Sequence, residues 1–233
     1  MYKDRAEAGR KLATELAGLD LPNPVVLALP RGGVPIGVEV AKALGARLDL
    51  VIVRKVGAPG NAELAVAAIV DGDPPDIVLN REIVEAYGLD DAQISALVRE
   101  ERPELERRRA VYRGGRHALS IEGRTAILVD DGAATGTTMK VAVRALKRRS
   151  PREIVVALPV APPETVAELQ EVADRVVCLA APARFLALGY HYESFPQLTD
   201  DEVIAGLRDA AEYNRQASPL GKGKAAKPPK PHG

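Results

Sequence analysis

TAILVDDGAATGTT, residues 125–138, is the stretch on which the fold turns. Its first five residues are apolar apart from Thr125, without polar alternation, as in a strand covered on both faces. Two adjacent carboxylates, Asp130 and Asp131, end that strand. A run of small residues follows, and MKVAVRALKRR then takes up helical spacing, which predicts a helix over 138–149. Gly132, Ala133, Ala134 and Gly136 let backbone N–H groups approach a ligand closely. The hydroxyls of Thr135, Thr137 and Thr138 add donors, and the first amides of the helix face the loop with the helix dipole favouring an anion. Together these parts describe a phosphate pocket at the carboxyl end of a strand, where open α/β sheets bind ligands.

The carboxylate pair sets this loop apart from other phosphate loops. It contains neither Gly-Lys-Ser/Thr nor Gly-x-Gly-x-x-Gly. Carboxylates beside a phosphate would repel it, so they face something else. A sugar diol suits them, because an ionised carboxylate accepts hydrogen bonds from hydroxyls well. Phosphate on one side and diol on the other define a ribose 5-phosphate.

Working outward, apolar runs recur at 25–29, 48–53, 154–160 and 176–179, and helical spacing fills 34–44 and 163–173. Strand–loop–helix repetition of this kind predicts an α/β fold with an open, mostly parallel sheet flanked by helices. The rhythm breaks over 80–116, which reads as helix with a break at Gly88-Leu89-Asp90. Asn80 and Asp90 are candidate N-caps, and Gln93 completes a capping box with Asp90. Pro103 inside this segment either kinks the helix or opens a new one. Its interleaved Glu and Arg describe a solvated, ion-pair-laced helix rather than a nucleic-acid site.

Thirty-two basic residues balance 32 acidic ones over 233 residues, which gives no support to a nucleic-acid or membrane-surface partner. The single cysteine, Cys178, excludes an intramolecular disulfide framework and a cysteine-rich zinc site, and reads as a buried strand residue. The N-terminus has no apolar core of signal-peptide length and no apolar stretch approaches a membrane span, so a cytoplasmic setting is expected. One domain over 1–216 and a disordered basic tail over 217–233, rich in Lys, Pro and Gly, complete the expected organisation.

ILVDDGAATGTT, residues 127–138, resembles the phosphoribosyl pyrophosphate (PRPP) signature of the type I phosphoribosyltransferases. Two further segments resemble that family in the same order. LPRGGVP, residues 29–35, is similar to its pyrophosphate loop. The resemblance implies that Arg31, Gly32 and Gly33 hold the leaving group, with a strained peptide bond there. RKVGAPGN, residues 54–61, looks like the start of the mobile catalytic loop, a lid that keeps water from the reacting centre. It brings in Lys55 as a catalytic residue and Arg54 as a pyrophosphate ligand. Residues 6–207 as a whole resemble a subgroup with a long helical insertion (80–116 here) ending in a Tyr-Arg-Gly-Gly-Arg element, residues 112–116. Gly132 stands where many members carry a bulkier residue, a departure expected to loosen the loop.

The family places acceptor recognition in a small C-terminal hood, for which 184–207 is the candidate. Four of the chain's eight aromatic residues fall there: Phe185, Tyr190, Tyr192 and Phe195. Tyr190 and Tyr192 could stack on a planar base, and His191 or Glu193 could bond its edge. The opposing account is that the rings anchor an irregular segment on the sheet. The implied reaction transfers 5-phosphoribosyl from PRPP to a nitrogenous base or related acceptor with release of pyrophosphate. Asp130 and Asp131 are its diol-holding catalytic pair, and Gly132, Ala133, Ala134, Thr135, Gly136, Thr137 and Thr138 anchor the 5-phosphate. Magnesium is implied, carried mainly by PRPP, with no protein metal cage expected. A homodimer is implied as well. The alternative is a regulatory protein on the same fold that binds PRPP or a nucleotide without catalysis.

Overall fold

The computed structural model describes residues 1–217. The basic tail expected over 217–233 lies outside the described residues, apart from Ala217, which closes the last helix. The chain opens with α1 (Arg5–Ala17), capped by the Asp4 carboxylate, which accepts from the Glu7 amide at 2.7 Å. Strand β1 (Pro24–Ala28) and helix α2 (Gly33–Leu44) follow, then β2 (Arg47–Leu50). An antiparallel unit comes next: β3 (Val53–Ala58), β4 (Asn61–Val70) and β5 (Asp76–Leu79). Two helices, α3 (Arg81–Ala86) and α4 (Asp91–Arg113), lead back to β6 (Thr125–Val129). The remainder alternates: α5 (Thr137–Lys147), β7 (Glu153–Val160), α6 (Pro163–Gln170), β8 (Arg175–Ala180) and α7 (Asp200–Ala217).

Five strands form one parallel sheet in the order β2-β1-β6-β7-β8. Its strands alternate between two cores, as the two-residue strand period requires. Val26, Ala28, Ile127, Val129, Val155 and Ala157 join Leu12, Leu16 and Ile36 on the α1/α2 side. Val25, Leu27, Ala126, Leu128, Ile154 and Val156 join Met139, Val143 and Leu169 on the α5/α6 side. Burial on both faces explains the unbroken apolar runs of the sequence. Cys178 departs from expectation and is only partly buried, because β8 is an edge strand.

The order places β1 and β6 side by side while the chain winds outward from them in both directions. That is the topological switch point of an open sheet, and a crevice opens at its carboxyl end. Register confirms the juxtaposition: Ala28 pairs with Val129, and the Leu29 amide donates to the Val129 carbonyl at 3.0 Å. The loops after β1 and β6 therefore start as neighbours.

Three expectations change. The apolar run 48–53 is not one strand, because the chain leaves the parallel sheet after Leu50 and starts a separate three-stranded sheet, β3-β4-β5. Residues 54–61, expected to begin a mobile loop after the second strand, form β3 and its turn into β4, with Val56 opposite Ala67 and Ala58 opposite Asn61. Pro103 does not open a new helix; it lies inside a continuous 23-residue helix that carries the expected Asp90–Gln93 capping box. Asn80 sits at the N-cap of α3 without a side-chain cap bond.

Candidate functional site

The loop after β1 turns sharply into α2. The Gly33 amide donates to the Leu29 carbonyl at 3.0 Å and the Val34 amide to that of Arg31 at 3.1 Å, while the Pro30–Arg31 peptide is cis. Gly32 is dictated by its neighbour: a Cβ there would lie 2.2 Å from Asp131 Oδ2. At Gly33 a Cβ would lie 2.7 Å from the Val129 carbonyl oxygen. The two glycines thus let the Arg31 loop sit directly against the carboxylate pair.

Asp131 is held from several sides. Arg5 Nε donates to its Oδ2 at 2.7 Å, both side chains being about nine-tenths buried. Arg5 also donates to the Pro196 carbonyl at 2.8 Å and stacks over the Phe195 ring at 3.7 Å. The Tyr192 hydroxyl donates to the Asp131 carbonyl at 2.5 Å. The Asp131 amide in turn donates to Asp130 Oδ1 at 2.9 Å. Burial pushes the Asp130 carboxyl well above its ordinary value, and the charge of Asp131 pushes the same way. Burial also raises Asp131, against the downward pull of the Arg5 guanidinium. Arg31, Gly32, Asp130, Asp131 and the segment 195–198 line a cavity of about 420 Å³.

Arg31 does not stand alone at the mouth of this cavity. Its Nη1 is 3.8 Å from Asp200 Oδ1, on the first residue of α7. Asp200 also accepts from the Tyr112 hydroxyl at 2.6 Å and lies 3.6 Å from Arg107 Nη1. Burial and the Asp200 carboxylate push the Tyr112 phenol up to about 12. The charged helix α4 therefore reaches Arg31 through Asp200. The neighbouring Arg113 is an interior anchor, donating to Asp71 and Asp49 at 2.7 Å each and to the Leu50 carbonyl at 2.9 Å.

The loop after β6 is pinned where it leaves the strand and open at its tip. The Ala133 amide donates to the Val160 carbonyl at 3.1 Å, and Thr165 Oγ1 donates to the Ala134 carbonyl at 2.7 Å. Ala133 is buried, so neither its amide nor its side chain faces the open loop. Ala134 and Thr135 are exposed, and the Thr135 and Thr137 hydroxyls lie 3.1 Å apart. Gly136, in the left-handed region at φ 63°, caps α5; the first helical amide bond is Lys140 to Gly136, which leaves the amides of Thr137, Thr138 and Met139 as the free donors of the first turn. Gly132 does not loosen this loop. At φ 150°, a Cβ on it would lie 2.8 Å from the Val160 carbonyl oxygen and 2.3 Å from Leu188 Cδ1, so the close approach of chain to chain demands glycine.

Consecutive strand residues point to opposite faces, and this separates Arg54 from Lys55. Arg54 Nε pairs with Glu101 of α4 at 2.5 Å. Lys55 lines another cavity, of about 300 Å³, with Thr137 and Thr138 at the start of α5 and Arg144 in its last turn. Neither lines the cavity that holds Arg31 and the carboxylate pair. The acceptor candidates divide as well. Tyr190 is 72% exposed and Glu193 is exposed, but Tyr192 is buried, stacked on Phe195 at 4.9 Å and packed against Tyr2 at 5.5 Å. Tyr192 is an anchor of the 184–207 segment and presents no free ring face for a base, because Tyr2, Phe195 and its bond to Asp131 use it. Residues that sequence reasoning missed are Arg5, Tyr2 and Asp200. No local motif marks them, since their partners lie far along the chain.

The arrangement is that of an open α/β sheet whose ligand crevice lies at its switch point, with an Arg-Gly-Gly loop facing an acidic pair and a hydroxyl-rich turn. The chain matches the phosphoribosyl transferase domain over residues 1–193, and so belongs to the phosphoribosyltransferase family. It is 46% identical over 216 residues to two proteins provisionally named phosphoribosyl transferases, Rv0571c and MT0597, from Mycobacterium tuberculosis strains H37Rv and CDC 1551. That match takes in 91% of this chain and 48% of theirs, so the chain spans about half the length of the curated relatives it matches. The crystal structure of TT1426 from Thermus thermophilus superimposes with a TM-score of 0.79 at 44% identity, covering 88% of this chain and 97% of that one. The fold is the type I phosphoribosyltransferase fold. No helix among the described residues is long and apolar enough to cross a membrane.

Proposed function

We propose that the protein transfers the 5-phosphoribosyl group of PRPP to a nitrogenous base or related acceptor and releases pyrophosphate. The observation that carries this is the shared cavity at the switch point, where Arg31 and Gly32 meet Asp130 and Asp131. In the transfer, the bond from the anomeric carbon to pyrophosphate breaks, the electron pair leaves with pyrophosphate, and a ring nitrogen forms the new bond. Asp130 and Asp131 accept hydrogen bonds from the ribose hydroxyls and favour the positive charge that develops on the sugar. The free amides of α5 and the hydroxyls of Thr135, Thr137 and Thr138 take the 5-phosphate, with Gly132, Ala133, Ala134 and Gly136 shaping the loop. Arg31 is the principal cation for the pyrophosphate, with Gly32 and Gly33 permitting its approach.

Lys55, beside Thr137 and Thr138, is better placed to neutralise the 5-phosphate end than the leaving group. Arg54 would join the site only by leaving Glu101. Among the described residues no group of three or more His, Cys, Asp or Glu is placed to hold a metal ion. A magnesium ion would neutralise pyrophosphate charge and would be carried mainly by the substrate, with Asp130 and Asp131 the carboxylates that line this cavity. A homodimer and a cytoplasmic setting belong to the same proposal. The domain limits, with 80–116 as insertion and 184–207 as hood, belong to it too. Tyr190 and Glu193 are its remaining acceptor contacts.

The test is pyrophosphate release from PRPP and magnesium across a panel of purine and pyrimidine bases. Base-dependent release establishes the transfer and names the acceptor class. PRPP binding with no release from any base would move the protein to the binding-only alternative.

A further inference from the structure

A cavity of about 850 Å³ lies away from the site just described and shares no lining residue with it. It sits over the free edge of β2, walled by the C-terminal end of α4 and the last turns of α7. Its volume falls within the range of about 300–1,000 Å³ typical of small-molecule sites.

The charge of its wall is one-sided. Arg47, Arg113, Arg116, Arg215 and His117 line it, and Asp49 is its one carboxylate. Asp49 has no oxygen to spare. Its Oδ1 accepts from Arg113 at 2.7 Å and from the Leu50 amide at 2.8 Å, and its Oδ2 accepts from the Leu119 amide at 2.7 Å. Arg113 is likewise spent on Asp49 and Asp71. The surplus cations are the other three arginines. Among the described residues Arg116 bonds only the backbone carbonyls of Arg113 and Tyr112, at 3.1 and 3.5 Å. Among the described residues neither Arg116 nor Arg47 forms an ion pair, and Arg215 reaches only Glu212, at 3.9 Å on the exposed helix surface.

Apolar groups share the same wall: Leu48, Leu207 and Ala211. Asn214 donates its amide to the Ala46 carbonyl at 2.6 Å and keeps its amide oxygen without a partner among the described residues. Guanidinium forks without carboxylates suit a phosphate group, and the apolar flank suits the body that carries it. A concave pocket over a strand edge does not suit a duplex or a helix. The strand edge itself is closed to another strand, because Arg113 occupies the Leu50 carbonyl and Asn214 that of Ala46. The sequence beyond Ala217 is lysine-rich, so its charge opposes its docking there.

We propose that this cavity is a second ligand site, taking a phosphorylated small molecule of nucleotide size with its phosphate on Arg47 and Arg116. It has a physical link to the crevice: Tyr112 lines the cavity and its hydroxyl donates to Asp200, the carboxylate that faces Arg31. Occupancy of the cavity thus bears on the residue that holds the pyrophosphate loop.

The test is calorimetric titration of the full chain with AMP, and with inorganic phosphate, on four proteins: wild type, Asp130→Asn/Asp131→Asn, Arg47→Ala, and Arg47→Ala/Arg116→Ala. AMP is expected to bind the aspartate variant, whose crevice has lost its ribose ligands, and to bind the double arginine variant about tenfold or more weakly than the wild type, the loss typical of a charge-assisted contact. Inorganic phosphate, lacking the apolar body, is expected to bind more weakly than AMP to the wild type. Arg47 is exposed, so its single variant keeps the fold and shows the same direction of change. Failure of AMP to bind the wild type, loss of binding in the aspartate variant, or unchanged binding in both arginine variants overturns the second site. AMP carries a ribose 5-phosphate that the proposed crevice would also take, so the binding kept by the aspartate variant and lost on removing the arginines is what belongs to this cavity, whether or not the crevice turns over PRPP.

Discussion

Replacing Arg5 by glutamine removes the cation facing Asp131 and strands a buried carboxylate. The pair has a 2.7 Å contact, and each side chain is no more than 10% exposed, so water cannot replace the guanidinium. Breaking a buried pair by removing one partner costs about 3–5 kcal/mol. For a chain of this size each kcal/mol lowers the melting temperature by about 2–4 °C, so Arg5→Gln is expected to melt roughly 6–20 °C lower at neutral pH. Adding Asp131→Asn removes the stranded charge, so the double variant should recover much of the loss. The coupling in a double-mutant cycle should reach about 2–3 kcal/mol, the upper part of the range for residues in contact. Burial already raises the Asp131 carboxyl while Arg5 lowers it, so losing Arg5 raises it further. Acid then supplies the missing neutralisation, and the penalty of Arg5→Gln should shrink as pH falls. Denaturant melts of the four proteins at several pH values measure all of this. Additivity within about 0.5 kcal/mol, or a penalty independent of pH, would refute the assignment of Arg5 as counter-ion of Asp131.

Other changes probe neighbouring parts of the site. Gly132→Ala should cost about 2–5 kcal/mol, combining a backbone geometry rare for alanine with overlap against Val160 and Leu188, and a melting temperature within about 2 °C of wild type would contradict it. The fold binds the Asp130 proton more tightly than the unfolded chain does, since burial raises that carboxyl. The resulting stability is present below the ordinary carboxylate range and is lost as pH rises through the raised value. Asp130→Asn should therefore gain on wild type in thermal melts as pH goes from about 4 to about 8, and a difference flat with pH would count against the burial. Arg113→Met leaves Asp49 without a cation and Asp71 with only Arg109, 3.6 Å away, and should destabilise by about 3–5 kcal/mol in denaturant titration, with a loss under about 1 kcal/mol showing that the anchor is dispensable.

What the sequence displays and what it hides follow from distance along the chain. The parallel strands are legible because both their faces are apolar, and the Asp130–Asp131 loop because strand, acids, small residues and helix are contiguous. The capping box of α4 is local and equally plain. The hairpin β3-β4 escapes because its first strand continues an apolar run that starts in the other sheet. Arg54 and Lys55 look like one basic pair, yet strand alternation sends them to different faces, a division visible only once they are known to be in a strand. Arg5 lies 126 residues from the carboxylate it holds and Tyr112 lies 88 from Asp200, so no spacing rule reaches them. Tyr192 cannot be told from a base-stacking ring until Tyr2 and Phe195 are found around it. Gly132 shows the reverse case: a residue that looks like a loss is required by the carbonyl of Val160.

The central claim is that Asp130 and Asp131 hold the ribose of PRPP in the crevice between β1 and β6. Calorimetric titration of PRPP with magnesium into wild type and Asp130→Asn/Asp131→Asn tests it most directly, with circular dichroism confirming that both are folded. PRPP is expected to bind the wild type and to lose measurable affinity for the folded double variant. Equal affinity for the two proteins would contradict the claim.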